Sequence, residues 1–275
     1  MKEWPLVSII TPSYNQGHFI EETINSVLDQ KYPNLEYIII DGCSTDNSLS
    51  IIKKYERRLK WISEQDYGQS NAINKGFRLA KGDIVAWLNS DDTYMPGAVN
   101  EAVEYFKHHN VALVYGEGNI IDEHGKKVKR FEATQSFDLW TLVNVWDYIM
   151  QPTTFFKKEA LASIGYLDES LHWTMDWDLW IRLAKKFEVG YINKILANSR
   201  EYEETKTSTG SWKRFAEICK VLRRYGEKRY PPAYFIYGAS TLYANNAHYK
   251  LGRIITSKIL YLVQTHFQRK LLTKI

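Results

Sequence analysis

With 275 residues, 44% of them hydrophobic and 25% charged, the chain has the composition of a folded soluble protein, long enough for one large domain or for one domain with an appendage. Its formal charge of +4 hides an asymmetry: Met1 to Glu227 carries 28 Lys/Arg against 32 Asp/Glu, a net of −4, while eight basic residues and no acid follow. The two cysteines, Cys43 and Cys219, have no metal-binding spacing and predict reduced thiols in a cytosolic compartment; the N-terminus lacks the apolar region of a signal peptide, and no run reaches 18 apolar residues.

In chain order, Val7–Thr11 reads as a strand and Gly17–Gln30 as a helix. Tyr37–Ile40 is a strand, Asp46–Leu59 a helix, Lys60–Ser63 a short strand and Gln69–Ala80 a helix. Ile84–Leu88 is a strand, Pro96–Lys107 a helix with its proline in the first turn, and Ala112–Tyr115 another strand. Repeated β-α units predict a mostly parallel sheet with helices on both faces, and the turn signals of Gly116–Arg130 predict a hairpin that breaks the pattern. Further on, Thr153–Phe156 and Val189–Ile192 read as strands and Asp178–Lys186 as a helix. Asn198–Ser211, polar and without period, reads as a mobile loop. Trp212–Tyr225 is amphipathic and helical, and the chain beyond Pro231-Pro232 is helical with a poorly defined apolar face.

The most informative stretch is Ile84 to Asp92, an apolar run that delivers Asp91 and Asp92 to the carboxyl edge of a strand, where open α/β sheets bind ligands. Adjacent carboxylates there are explained by a hard divalent ion shared with substrate phosphates, or by a turn in which one of them caps the next helix. Asp41 ends the second strand beside Gly42, where it can accept the N–H of a flat base while the glycine lets a ring approach; Asp46 reads as an N-cap. Asn71 and Lys75 share one helix face, four residues apart.

The ordered segments VSIITPSYN, IIIDGCSTDNS, GQSNAINKGFRLAKGDIVAWLNSDD, QPTTFF and MDWDLWIRL resemble those of the family 2 glycosyltransferases, inverting enzymes of GT-A fold, over about residues 5–210. The resemblance implies a nucleotide-binding part over about 1–115, an acceptor-binding part over about 116–210, and a basic helical extension over 211–275. It implies that the turn carrying Thr11, Pro12 and Tyr14 lines the nucleotide base and that Asp41 recognises it. Asn71, Lys75, Ser90 and Lys206 join the nucleotide-binding set. Asn89 stands where the family often has an acid and retains the capacity to bond a ribose hydroxyl. Asp91 is then the main ligand of Mn²⁺ or Mg²⁺, with Asp92 beside it. Asp176 matches the base that takes the proton of the acceptor hydroxyl, with Asp178 as its competitor. Trp177 and Gln151 are expected at the acceptor, and Trp180 either there or in the core. Arg200, Lys206 and Thr207 match a cationic family segment expected to close over a diphosphate, in which Thr205 is a conservative substitution and Tyr202 replaces a histidine.

The expected function is therefore transfer of a sugar from a nucleotide-diphosphate sugar, a UDP-sugar by resemblance, to a hydroxyl on a saccharide or lipid-linked acceptor in bacterial surface polysaccharide assembly. A sugar nucleotidyltransferase and a catalytically inactive nucleotide-sugar-binding protein are the alternatives. The first lacks its basic Gly-rich loop here, and the second sits badly with the joint presence of Asp41, Asp91, Asp92 and Asp176. No nucleic-acid-binding motif accompanies the basic tail. The expected location is the cytoplasm, with peripheral attachment of the tail to the anionic inner face of the plasma membrane; the other reading of the tail is a helical cap whose charges are solvated. Each cation near such a surface contributes about 1 kcal/mol, screened by salt. Co-sedimentation with anionic vesicles that weakens as ionic strength rises is the expected result; equal binding to neutral vesicles, or binding to neither, rules the anchor out.

Overall fold

The computed structural model describes residues 4–226 and 231–245; the basic residues of the tail, expected to attach to a membrane, lie outside the described residues. Two compact units are present: Met1–Phe137 with Tyr148–Tyr202, and Asp138–Asp147 with Glu203–Ile275.

The first unit is built on one nine-stranded sheet. Its first half follows the β-α alternation: β1 (Val7–Ser13), α1 (Ile20–Leu28), β2 (Leu35–Asp41), α2 (Ser48–Lys54), β3 (Lys60–Ser63), α3 (Gln69–Leu79) and β4 (Ile84–Trp87). There follow β5 (Thr93–Tyr94), α4 (Ala98–His108), β6 (Leu113–Ile121), β7 (Lys127–Arg130), β8 (Phe155–Lys157), α6 (Lys158–Ser163), α7 (Met175–Ala184) and β9 (Val189–Arg200); α5 (Leu139–Asn144) belongs to the second unit. The strand order is β3-β2-β1-β4-β8-β6-β9-β5, with β7 paired to β6. Strands β1 to β4 pair in parallel, and β6 with β9; β8, β5 and β7 pair antiparallel with their neighbours. The sheet is thus parallel in its first half and mixed in its second.

Both faces of the first half are covered, which is why β1, β2 and β4 read as nearly unbroken apolar runs. Val7, Ile9, Ile39 and Ala86 meet Ile24, Ile52, Val99 and Phe106 of α1, α2 and α4 in one core cluster. On the other face Trp87 stacks on Phe156 (centroids 5.7 Å apart) and on Trp180 of α7 (5.5 Å), with the Phe77 edge of α3 at 5.8 Å. Trp180 is fully buried in that stack and takes the core role. A Cβ at Gly76 would lie 2.3 Å from an Ile10 methyl, so only glycine lets α3 pack this closely on β1.

Several expected boundaries shift. β6 runs nine residues, through the stretch expected to belong wholly to the hairpin, and only its far end pairs with β7. Pro96 precedes Gly97, the left-handed N-cap of α4, and so lies outside the helix. Helix α7 starts at Met175 with Thr174 as its N-cap, three residues before the expected start, so Asp178 is not a cap. Asn198–Arg200, expected in a mobile loop, are the end of the twelve-residue β9. Asp46 stands one residue before the N-cap of α2, Asn47, although its Oδ1 accepts from the Ser48 N–H at 2.9 Å.

The second unit consists of α5, α8 (Lys206–Thr209), α9 (Ser211–Tyr225) and α10 (Pro232–Asn245) among the described residues. Asp138 caps α5 by accepting from the Thr141 N–H at 2.7 Å. Ile218, Val221 and Leu222 form the buried stripe of α9, and the Asp147 N–H donates to the Tyr237 hydroxyl of α10 at 3.1 Å.

Trp180→Ala opens a large void in the aromatic stack and should cost about 3–5 kcal/mol, read as a fall in the urea midpoint of the sheet unit at unchanged slope.

Candidate active site

Strands β1, β2 and β3 run outward in one direction, and the chain then returns through α3 to place β4 on the other side of β1. The resulting switch point between β1 and β4 is where open α/β sheets leave a crevice at the strands' carboxyl ends. Here the crevice has a chemical cause. The Leu88 N–H donates to the Ile10 carbonyl at 2.9 Å, but Pro12 has no N–H to continue the ladder, and the two strands separate.

On the β2 side of the crevice, Tyr14 is 62% exposed and Asn15 is left-handed (φ 52°). Asn15 binds the following loop in both directions: its N–H donates to Ser44 Oγ at 2.8 Å and its Oδ1 accepts from the Thr45 N–H at 2.8 Å. Asp41 is fully buried, accepting from the Ser44 N–H and Oγ (2.9 and 2.5 Å) and from Ser63 Oγ (2.7 Å). Its carboxylate organises the loops at the edge, and three of its acceptor positions are filled. Thr11 is also fully buried and shares a hydrogen bond with the Tyr37 hydroxyl at 3.0 Å; its side chain serves the core, and of the TPSYN turn only Tyr14 and Asn15 are exposed. A further carboxylate reaches this place. Asp66 Oδ2 lies 2.5 Å from the position a Cβ would take on Gly42, and Tyr14 lies 3.5 Å from the same point. Sequence reasoning passed over Asp66. Its signal was the Asp-x-Gly turn that starts α3, where Asp66 Oδ1 accepts from the Gly68 N–H at 2.8 Å.

Beyond β4, Asn89 is the centre of a polar network. Its Oδ1 accepts from Gln69 Nε2 at 2.8 Å, and its Nδ2 donates to Gln151 Oε1 at 3.0 Å and to Asp92 Oδ2 at 3.1 Å. Gln151 Nε2 donates onward to the Trp87 carbonyl at 2.9 Å. Gln151, expected at the acceptor, thus braces the turn between strand and carboxylates, and Gln69 is a second residue that sequence reasoning missed. Ser90 is buried within the turn.

The two carboxylates differ in kind. Asp92 is 3% exposed; its Oδ1 accepts from the Arg200 N–H at 3.0 Å, its Oδ2 from Asn89, and its carbonyl from Thr23 Oγ1. Burial first, and the neighbouring Asp91 charge second, push its carboxyl well above the usual carboxylate range. Asp91 is half-buried, and burial raises it as well, against the Tyr202 hydroxyl that donates to its Oδ2 at 3.1 Å. Burial and then the Asp91 charge push the Tyr202 phenol far above its ordinary value, so it keeps its proton and acts as donor. Arg200 gathers this corner: Nε donates to the Asp91 carbonyl (2.9 Å), Nη1 to the Asp122 and Glu123 carbonyls (both 3.0 Å), and Nη2 to Glu22 (2.5 Å). Its guanidinium also lies over the Phe19 ring, 4.9 Å from the centroid. Expected to close over a diphosphate, Arg200 is instead spent on the protein.

Asp176 is half-buried in the first turn of α7, with Oδ1 accepting from the Trp177 N–H at 2.8 Å. The helix start is anchored near the Asn89 network, since Met175 Sδ and the Leu171 carbonyl both contact Ser70 Oγ, one residue from Gln69. Asp178 is fully buried and ion-paired with Arg182 at 2.7 Å, which removes it as a competitor for the acceptor proton. Trp177, expected to stack on an acceptor sugar, is 2% exposed and offers no open face. Lys75 pairs with Glu64 at 3.0 Å and donates to the Gln65 carbonyl, and Asn71 donates to Glu169 at 2.8 Å; acids already near α3 claim the two side chains expected at the phosphates. Lys206 opens α8 in the second unit.

Among the described residues no group of three or more His, Cys, Asp or Glu forms a complete cation cage. The donor set does fit Mg²⁺ or Mn²⁺ held by one carboxylate and completed by substrate phosphates, since Asp91 is a half-buried acid that only partial internal bonding compensates. Asp92, whose two oxygens are both engaged, is its support and not a second ligand of equal standing.

The Glycosyl transferase family 2 profile matches residues 8–163. The putative teichuronic acid biosynthesis glycosyltransferase TuaG of Bacillus subtilis (strain 168) is 31% identical over 255 residues, covering 90% of this chain and 98% of that protein. Among solved structures, TarS 1–349 of S. aureus in complex with UDP-GlcNAc superposes with a TM-score of 0.65 at 17% identity, covering 96% of this chain and 92% of that one. The mannosyltransferase PcManGT from Pyrobaculum calidifontis, in complex with GDP-Man and Mn²⁺, gives 0.60 at 18% identity over 95% of this chain and 86% of that one. At such identities the two structures speak for the fold.

Arg200→Met strands three carbonyls around a buried site and should destabilise the sheet unit by about 3–5 kcal/mol. Glu22→Gln removes only a solvent-exposed partner and should cost under about 1 kcal/mol. Denaturant unfolding of the two variants checks this asymmetry, and equal losses would show the ion pair, not the carbonyl bonds, to be what matters.

Proposed function

The chain belongs to the glycosyl transferase family 2, and from that premise we propose that it moves one sugar from a nucleotide-diphosphate sugar to an acceptor hydroxyl with inversion, in the assembly of a bacterial surface polysaccharide. The observation that carries this reading is the turn after β4, where Asp91 is fixed at the carboxyl edge of the β1–β4 switch point by bonds from both Arg200 and Tyr202. Tyr14, Gly42 and Asp66 offer an aromatic face, a bare backbone and a carboxylate to the base. A UDP-sugar is proposed as the donor, a choice supported by the UDP-GlcNAc complex of TarS.

A divalent cation is part of the proposal, supported by the Mn²⁺ complex of PcManGT. Asp91 would hold it together with the donor's phosphates, and when bound it supplies positive charge that stabilises the departing diphosphate. Asp92 keeps the turn in shape through Arg200 and Asn89. Asp176 is the proposed base: it takes the proton of the acceptor hydroxyl as that oxygen attacks the anomeric carbon from the face opposite the leaving nucleotide. The short bond from the Trp177 N–H holds one of its oxygens in place. The acceptor is proposed to be a saccharide or a lipid-linked saccharide, which accords with the teichuronic acid pathway of TuaG and with a basic tail suited to an anionic leaflet.

Asp176→Asn keeps the shape and removes the basicity, so transfer should fall by roughly 10²- to 10⁴-fold while donor binding survives. Asp91→Ala should abolish metal-dependent donor binding without unfolding the sheet unit. Calorimetry with UDP-sugars and GDP-sugars, with and without Mn²⁺, reads both variants. Unchanged donor affinity and metal dependence in Asp91→Ala would sink the cation assignment, and a fully active Asp176→Asn would sink the base.

A further inference from the structure

Asp91 is held at two points. The Arg200 Nε–H fixes its carbonyl at 2.9 Å, and the Tyr202 hydroxyl fixes its carboxylate at 3.1 Å. The holding groups come from the last residue of β9 and from the position two residues beyond it and share one backing surface, for Phe19 contacts the Tyr202 ring at 4.9 Å (46° between planes) and lies under the Arg200 guanidinium at 4.9 Å. The phenol is therefore fixed by its ring on Phe19 and by its bond to Asp91, and is not a side chain that merely swings past the carboxylate.

This geometry matters because Asp92 has turned inward and leaves Asp91 as the one carboxylate offered to a cation. An ion resting on a single protein carboxylate depends on how that carboxylate is turned. A donor on one oxygen fixes the rotation of the group and directs the remaining lone pairs to the crevice. We propose that Tyr202 is a positioning residue for the divalent cation, acting through Asp91 without touching the ion. The inference rests on the cation reading above and adds to it that the affinity of this chain for its ion is set by a phenol–carboxylate bond backed by Phe19.

Tyr202→Phe deletes one oxygen and keeps the ring on Phe19. Free Mn²⁺ measured by electron paramagnetic resonance, titrated with the full chain in the presence of UDP, should show an affinity 10- to 100-fold weaker than that of the unaltered protein. The melting temperature should hardly move, and turnover lost at low Mn²⁺ should return at saturating Mn²⁺, which a merely structural role would not allow. Phe19→Leu keeps the hydroxyl and loosens its support, and should give a smaller loss in the same direction. Unchanged Mn²⁺ affinity in Tyr202→Phe overturns the inference, as does a loss that only follows lost folded structure. If the unaltered protein itself takes up no Mn²⁺, the cation reading falls and this inference with it.

Discussion

The corner of the molecule where chemistry is expected depends on a buried guanidinium. Removing an arginine from water costs several kcal/mol unless its donors are met, and Arg200 meets them with three backbone carbonyls and the Glu22 carboxylate. A lysine would put a point charge where a planar fork now joins three separate pieces of chain. Those pieces are the turn that carries Asp91, the 122–123 turn beyond β6, and α1. Because the same residue's N–H also reaches Asp92, a single position sets the turn's backbone and one of its two side chains.

Five aspartates near the carboxyl edge illustrate how environment, more than identity, assigns work. Asp41, Asp92 and Asp178 are buried and spend their oxygens on serines, on the Arg200 and Asn89 donors, and on Arg182. Asp91 and Asp176 are half-buried, Asp91 taking the Tyr202 hydroxyl and Asp176 the Trp177 N–H. A buried carboxylate whose two oxygens both take donors from the protein is scaffold, whereas a half-buried one still meets solvent and can meet a ligand.

Much of this was legible beforehand, for identifiable reasons. The doubly covered strands β1, β2 and β4 declare themselves as apolar runs ending in turn residues, and the acids after them fall where the sheet must end. The paired Asp91 and Asp92 were visible, but their division of labour was not, because it is made by Arg200, more than a hundred residues away in the chain. The end of β9 departs from expectation for a related reason. Asn198, Ser199 and Arg200 look like loop, yet their polarity serves partners inside the fold: Asn119 donates to Asn198 Oδ1 at 2.9 Å, and Asn198 donates to Thr93 at 3.1 Å. The phosphate roles of Lys75 and Asn71 rest on the resemblance, and their shared helix face does not foretell that Glu64 and Glu169 take them. Trp177 departs from expectation because an aromatic that serves the core and one that serves a sugar have the same letter.

The span of the Arg200 contacts also dates the site within the life of the chain. Asp91 and Arg200 are 109 residues apart, and Glu22 and Arg200 178 apart. Contacts of such separation close late, because the entropy of a long loop must be met before they form. A nascent chain synthesised as far as α4 contains β1 to β4, while the turn that bears its two acids is still unheld. Only when β9 has emerged can that turn acquire its final geometry, so the acids are synthesised long before the residue that positions them.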